Sequence, residues 1–224
     1  MSSPREIEML PVFPLTGTLL LPETFLPLNI FEERYLRMVE DALEADRTIG
    51  MIQPMIPGLD NFGIPPLDLK DPQLYPVGCC GRIEESELQE DGRYLIVLEG
   101  IVRFRIVEEL KPRRGYRRVK ADIGEFEGDL EPRETAVDRL AVLAALERFA
   151  RQKDLEFDPD LLAGLSDRRL VNSLSTALPF TPVEKQALIE SPTTAERASL
   201  LVTLMGFEFE ADAAVVPVVP PTIH

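Results

Sequence analysis

The sequence predicts an α+β fold in which a β-rich first half precedes a helical second half. Short apolar segments separated by proline and glycine dominate the first 128 residues, as is typical of strands joined by turns. From residue 134 onward, apolar residues recur at helical spacing and capping signals repeat. We therefore expect a β-barrel or sandwich with one helix over residues 1–128, a helical bundle over residues 129–210 and an extended, proline-rich tail over residues 211–224.

The opening segment, residues 9–35, is an apolar run interrupted by Pro11, Pro14, Pro22 and Pro27. Proline has no N–H and a fixed φ, so this run can form neither a membrane-spanning helix nor a core helix. We expect short edge strands that turn a corner of the barrel or sandwich.

One helix is predicted in the first half, over residues 30–45, because Tyr35 and Val39 recur on one of its faces. Asn29 and Glu32 have the spacing of a capping box. We therefore expect the helix to begin at residue 30, within the last part of the opening segment.

A strand pair is predicted after the Asp-Gly turn signal at residues 91–92. The first strand covers residues 93–98 and runs into a second turn at Glu99-Gly100. The chain then returns over residues 101–107 as an antiparallel partner.

The returning strand alternates apolar residues with arginines: Val102, Arg103, Phe104, Arg105 and Ile106. Such alternation predicts one buried face and one solvent-exposed face. A last strand is expected over residues 116–126, and short strands joined in this way favour an antiparallel barrel over a parallel sheet.

Three capping signals divide the second half into about five short helices. They are Asp158 before Pro159, the box Thr181-Pro-Val-Glu184 and the box Thr193-Thr-Ala-Glu196. We expect the last helix to end at Gly206, because glycine commonly follows a helix C-terminus.

Composition restricts the class of protein. The 224 residues carry a formal net charge of −15, and 45% are hydrophobic, as is typical of a soluble globular protein. Such a surface repels nucleic acid and anionic membranes. The chain has no basic-then-apolar leader and no apolar stretch of about 18 residues without proline or charge, so we expect a cytoplasmic protein without membrane contact.

The residue types that most cofactor and catalytic sites need are scarce. Cys79 and Cys80 are adjacent and His224 is the single histidine, which is too few for a Cys/His zinc site. The sequence contains no P-loop, no Gly-x-Gly-x-x-Gly segment and no lysine in an apolar setting beside a serine. We therefore predict no cofactor, no metal and no enzymatic activity.

One basic patch stands out, because residues 101–121 hold eight Lys or Arg against two Glu. Its members are Arg113, Arg114, Tyr116, Arg117 and Arg118. The patch is either a solvated hairpin tip or a contact for phosphate or an acidic protein. The net charge of −15 makes nucleic acid the less favoured partner.

Two further segments have the composition of interaction sites. The long proline-rich loop over residues 54–75 carries apolar side chains that pack on their own domain or contact a partner. We expect a partner-binding surface formed with the opening segment: Phe25, Leu28, Ile56, Leu59, Phe62 and Ile64. The tail is either loosely ordered or an extended strand through which copies of the chain self-associate.

Taken together in this order, several segments resemble the N-terminal domain of Lon protease. They are residues 11–35, 77–83, 91–106, 178–190 and 196–201. The resemblance covers residues 8–207 and implies a PUA-like β-rich subdomain followed by a helical bundle. In full-length Lon this domain is joined to an ATPase and a serine–lysine protease, and it helps to capture unfolded proteins.

The sequence departs from full-length Lon because it lacks the ATPase and protease motifs, so it is similar to the stand-alone bacterial members of the family. The resemblance implies a non-catalytic protein- or peptide-binding module that acts as an adaptor in protein quality control. Two alternatives remain: an RNA-binding PUA-like protein that uses the basic hairpin over residues 111–118, and an enzyme or small-ligand pocket between the subdomains.

Overall fold

The computed structural model describes residues 5–55, 71–131 and 136–213. Within these ranges six strands form one sheet: β1 (Glu6–Pro14), β2 (Phe25–Ile30), β3 (Thr48–Ile52), β4 (Val77–Leu88), β5 (Tyr94–Arg113) and β6 (Tyr116–Asp122). The helices are α1 (Glu33–Leu43), α2 (Arg139–Lys153), α3 (Pro159–Ala163), α4 (Asp167–Ala177), α5 (Pro182–Glu190) and α6 (Thr194–Ala213), and a 3-10 helix covers Gly124–Asp129. The predicted α+β class is confirmed.

The sheet has the strand order β2-β5-β4-β3-β1-β6, and β5 also pairs with β6. Among the described strands, every pairing is antiparallel except β1 with β3, which is parallel, so the sheet is mixed, with antiparallel pairs in the majority. Because β5 contacts β2, β4 and β6, this one strand joins both ends of the order. The barrel, PUA-like and bundle descriptions, and the domain boundaries at residues 128 and 210, stay predictions.

Strand β1 is not the edge strand that its prolines predict, because it pairs with both β3 and β6. The two partners are offset along it. Pro11 lies opposite Arg118 of β6, whereas Pro14 lies opposite Ile52 of β3. Each proline therefore has a partner strand on one side only, and its missing N–H interrupts no ladder on the other side.

Strand β5 runs without a break through Glu99-Gly100, so the predicted turn there is wrong. Gly100 is needed for close packing instead: an ideal Cβ on it would lie 2.0 Å from the carbonyl oxygen of Leu21. The register against β4 shifts between Cys80 and Gly81, beside Gly100. The turn at residues 91–92 is confirmed, with Gly92 at φ +85°.

The helix signals of the second half are confirmed. The side chains and backbones of Thr181 and Glu184 bond reciprocally at the start of α5, and Thr193 and Glu196 do so at the start of α6. Two boundaries differ from the prediction, because α6 continues past Gly206 to Ala213 and the last strand gives way to a 3-10 helix.

Helix α1 begins later than predicted. Asn29 belongs to β2, and Glu32 is the N-cap without a side-chain capping bond, so the capping box is wrong. The predicted buried face is confirmed at Tyr35 and Val39.

The buried apolar residues of the sheet and of the helices form one hydrophobic cluster. Arg103 of β5 is buried, with 3% of its surface exposed. The prediction that it lies on a solvent-exposed face is therefore wrong. Its guanidinium bonds both carboxylate oxygens of Asp129, and it also donates to the carbonyls of Ile189, Ser191 and Pro192. The connection between α5 and α6 therefore covers this position of β5.

A second buried arginine lies nearby. Arg197, 1% exposed, donates to the Leu188 carbonyl at 2.8 Å and to Asn172 Oδ1 at 2.7 Å. Burial, with Arg103 close by, lowers the pKa of Arg197 to about 9. The amide of Asn172 in turn donates to the Pro22 carbonyl at 2.9 Å, which ties α4 to the segment before β2.

No helix in the described ranges is long and apolar enough to cross a lipid bilayer.

Candidate functional site

Strand β2 lies at one end of the sheet order and pairs with β5 alone among the described strands. A tight turn starts it, in which Thr24 Oγ1 accepts from the Leu21 N–H and donates to the Leu21 carbonyl. The Gly100 N–H then donates to the Thr24 carbonyl at 2.9 Å. The turn therefore fixes where β2 meets β5, and the second edge of β2 is left without a strand partner in the part of the chain that is described.

Cross-strand register defines a surface over β2, β5 and β4. Opposite residues share a face and neighbours along a strand alternate between faces. Three rows result, and we call them together the outer face: Phe25–Glu99–Arg82, Pro27–Val97–Glu85 and Asn29–Leu95–Glu87.

A groove of ≈ 710 Å³ is lined by residues 27–29, 85–87 and 95–97, and six of these nine residues belong to the outer face. Leu95 (43% exposed) and Val97 form its middle column, and Pro27 faces them from β2. Phe25, 52% exposed, continues the apolar surface in the next row. Arg169 of α4 lies over this ring, with its guanidinium carbon 5.9 Å from the ring centroid. An extended apolar segment fits such a surface.

Some charged groups of the outer face form ion pairs, whereas others have no ion-pair partner among the described residues. Arg82 forms ion pairs with Glu84 and Glu99, and its hydrogen bond lowers the pKa of Glu84. Glu85 and Glu87 are exposed and have no ion-pair partner among the described residues. The β4 side of the groove therefore keeps its negative charge.

The structure places only two of the six predicted partner-binding residues. Phe25 belongs to the outer face, but Leu28 lies on the opposite face of β2 and packs against the hydrophobic core. Ile56, Leu59, Phe62 and Ile64 lie outside the described residues, as does the tail from residue 214. Partner binding by these residues stays a prediction.

The basic patch lies on the β5–β6 hairpin and contacts α1. Arg114 bonds Asp41 at 2.6 Å and Glu40 at 3.0 Å, and Arg113 lies 3.0 Å from Asp41. The Tyr116 hydroxyl donates to the Asp41 carboxylate at 2.6 Å. Burial and this hydrogen bond raise the pKa of Tyr116 to about 12, whereas the pKa of Asp41 is lowered by Tyr116 and the arginines although burial opposes them.

The other two arginines of the patch are also engaged. Arg117 bonds the Glu109 carboxylate at 2.6 and 2.7 Å and donates to the Pro72 carbonyl. Arg118 donates to the Lys111 carbonyl at 2.9 Å. Acidic residues of the chain itself thus offset much of the charge on which RNA binding would depend.

A smaller cavity of ≈ 190 Å³ lies where the 3-10 helix meets the start of α6. Its charged groups are paired: Arg103 with Asp129, Glu125 with Arg105, and Arg168 with Glu23. Within the described ranges, no cluster of three or more His, Cys, Asp or Glu residues could hold a metal ion. This cavity provides no recognisable catalytic arrangement.

The sequence does not indicate the groove, because nothing in the predicted strand over residues 93–98 places it between residues 27–29 and 85–87. Only the register across three strands brings Pro27, Val97 and Glu85 together. An alternation rule would have shown that Phe25 and Leu28, three residues apart, lie on opposite faces.

Comparison with known proteins finds Lon proteases as relatives of this chain. The chain is 25% identical over 212 residues to Lon protease of Xanthomonas oryzae pv. oryzae, which covers 93% of this chain and 24% of that protein. It is 27% identical over 213 residues to Lon protease of Dictyoglomus thermophilum, covering 91% and 25%. The chain therefore spans about a quarter of the length of these curated relatives.

Solved structures show the same fold. The Lon N-terminal domain protein from Xanthomonas campestris matches with a TM-score of 0.60 and 22% identity, over 88% of this chain and 98% of that one. The N-terminal domain of Mycobacterium avium complex Lon protease matches with a TM-score of 0.62 and 15% identity, over 89% and 98%. Residues 9–206 match the family described as the ATP-dependent protease La (LON) substrate-binding domain. The chain belongs to this LON substrate-binding domain family.

Proposed function

We propose that the chain is a non-catalytic module that binds exposed apolar segments of unfolded or partner proteins. The observation that carries this proposal is the outer face, where β2, whose second edge has no strand partner among the described residues, adjoins a groove with half-exposed apolar side chains. An unfolded protein offers unpaired backbone groups and apolar side chains, and a sheet edge beside an apolar groove contacts both. The family's description as a substrate-binding domain supports the same assignment.

The test is binding of fluorescein-labelled casein, measured by fluorescence anisotropy with the full chain. In the Phe25→Ser/Leu95→Ser variant, two half-exposed side chains lose their contacts, and we expect affinity to fall about thirtyfold, or about 2 kcal/mol. The control is Leu140→Ser/Leu161→Ser, which removes two exposed leucines of α2 and α3. Equal affinity in both variants, or no binding by wild type at high micromolar protein, would refute the proposal.

The adaptor role is the next part of the proposal: the chain holds clients in the cytoplasm and delivers them to a separate protease. The purified chain alone should then neither hydrolyse ATP nor cleave casein. An ATP-dependent protease from the same cell should degrade casein faster when the chain is added, and the Phe25→Ser/Leu95→Ser variant should lose this stimulation. Cleavage of casein by the purified chain would contradict the non-catalytic assignment.

The finer architecture also belongs to this proposal. The circuit of pairings β5–β4–β3–β1–β6–β5 supports a PUA-like barrel over residues 1–128, with β2 added at its side. The helices from α2 onward support a helical bundle over residues 129–210. In such a barrel the outer face is one wall of the first subdomain, open to solvent.

A further inference from the structure

The groove combines an apolar floor with a wall of one charge. Leu95 and Val97 lie in the middle, while Glu85 and Glu87 line the β4 side. These two carboxylates are the charged groups among the nine lining residues. Arg82 and Arg169 lie at the row of Phe25 instead, and Arg93, two residues before Leu95, forms an ion pair with Asp91.

The spacing of the two carboxylates fits an extended peptide. Glu85 and Glu87 are two residues apart on a strand, which separates them by about 6.8 Å. Alternate side chains of an extended segment have the same separation. A segment lying along β4 can therefore place two alternate basic side chains opposite both carboxylates while its apolar side chains contact Leu95 and Val97.

We propose that the groove selects extended protein segments in which basic residues accompany apolar ones. This inference rests on the proposed function and adds the class of client. A peptide with lysine or arginine at alternate positions gains two ion pairs, whereas an acidic peptide meets two unpaired like charges.

Charge argues against the other occupants of the groove. A second copy of the chain carries a net charge of −15, and the arginines of its basic patch already bond Asp41, Glu109 and the Lys111 carbonyl. Nucleic acid and anionic lipid present negative charge to Glu85 and Glu87, so both are repelled.

The experiment uses three labelled peptides with the same apolar residues and with Lys, Gln or Glu at alternate positions. Anisotropy titrations with the full chain should give the order Lys, Gln, Glu in falling affinity, and the preference for Lys over Gln should shrink as salt rises. In the Glu85→Gln/Glu87→Gln variant, affinity for the Lys peptide should fall about two- to thirtyfold, to the level of the Gln peptide.

The control is Glu108→Gln/Glu156→Gln, which changes the net charge equally at two exposed positions outside the groove and should leave the preference intact. Equal binding of all three peptides to wild type would overturn charge selection while leaving the proposed function in place. Loss of the Lys preference in the control as well would also overturn it, because the total charge would then explain the effect. Binding of none of the peptides, nor of casein, would refute both.

Discussion

Arg103 of β5 and Asp129, at the end of the 3-10 helix, form a two-point ion pair with N–O distances of 2.8 and 3.0 Å, and their side chains are 4% and 10% exposed. The pair lies under the connection between α5 and α6, whose carbonyls take the remaining guanidinium donors. It is therefore a polar anchor between the sheet and the helices.

Removing the carboxylate should leave a buried positive charge without its partner. We expect Asp129→Ala to lower the free energy of unfolding by about 3–5 kcal/mol, measured by urea denaturation. The matched control is Glu125→Ala, which removes the partner of the more exposed Arg105 and should cost less than about 1 kcal/mol. If the free energy of unfolding falls equally in the two variants, the buried ion pair stabilises the fold no more than the exposed one.

Gly100 should tolerate no side chain, because its Cβ would overlap the Leu21 carbonyl. We expect Gly100→Ala to lower the free energy of unfolding by about 3 kcal/mol through displacement of the segment before β2. Gly128→Ala is the control, since nothing lies within 4 Å of a Cβ at that position. The prediction fails if both alanine variants unfold at the same urea concentration.

The thiols of Cys79 and Cys80 should not react with thiol reagents in the native protein. Burial raises the pKa of Cys80 to about 12 and the pKa of Cys79 well above its usual value. A raised pKa keeps the thiol protonated as pH rises, so neither residue supplies the reactive thiolate at pH 7 or pH 9. A thiol reagent such as DTNB should titrate no thiol in the native chain at either pH and two in urea; rapid native labelling would contradict the burial.

The basic patch should not bind RNA with useful affinity. Its arginines already contact Asp41, Glu40 and Glu109, so few cationic groups are left to neutralise phosphates and release the counterions condensed on RNA. An RNA gel-shift assay at low salt should show no complex at micromolar protein. A complex that weakens steeply with added salt, and that is lost in Arg113→Gln/Arg114→Gln, would support the RNA-binding alternative instead.

Features with local causes could be predicted from the sequence. The capping boxes at Thr181 and Thr193 act within four residues, and both helices begin where these boxes place them. The buried state of Arg103 could not be predicted, because its partners lie 26 to 89 residues along the chain. The role of Gly100 could not be predicted for a related reason: a glycine that permits close packing and one that permits a turn look alike in sequence.

The candidate site also has one feature that the sequence predicts and one that it does not. The exposure of Phe25 follows from a proline-rich edge strand, which the sequence indicates. The placement of Pro27, Val97 and Glu85 in one row depends on how three strands align, and no local pattern contains that alignment.

The pairing of β1 with β6 has a consequence for how the chain is made. Ile7 lies opposite Ala121, so the N-terminal part of β1 has no strand to join until more than half of the chain has been synthesised. At roughly 5–20 residues per second, this segment waits for several seconds before its partner strand is made. During synthesis the chain is therefore itself an unfolded protein with an exposed strand, of the kind that its finished form is proposed to bind.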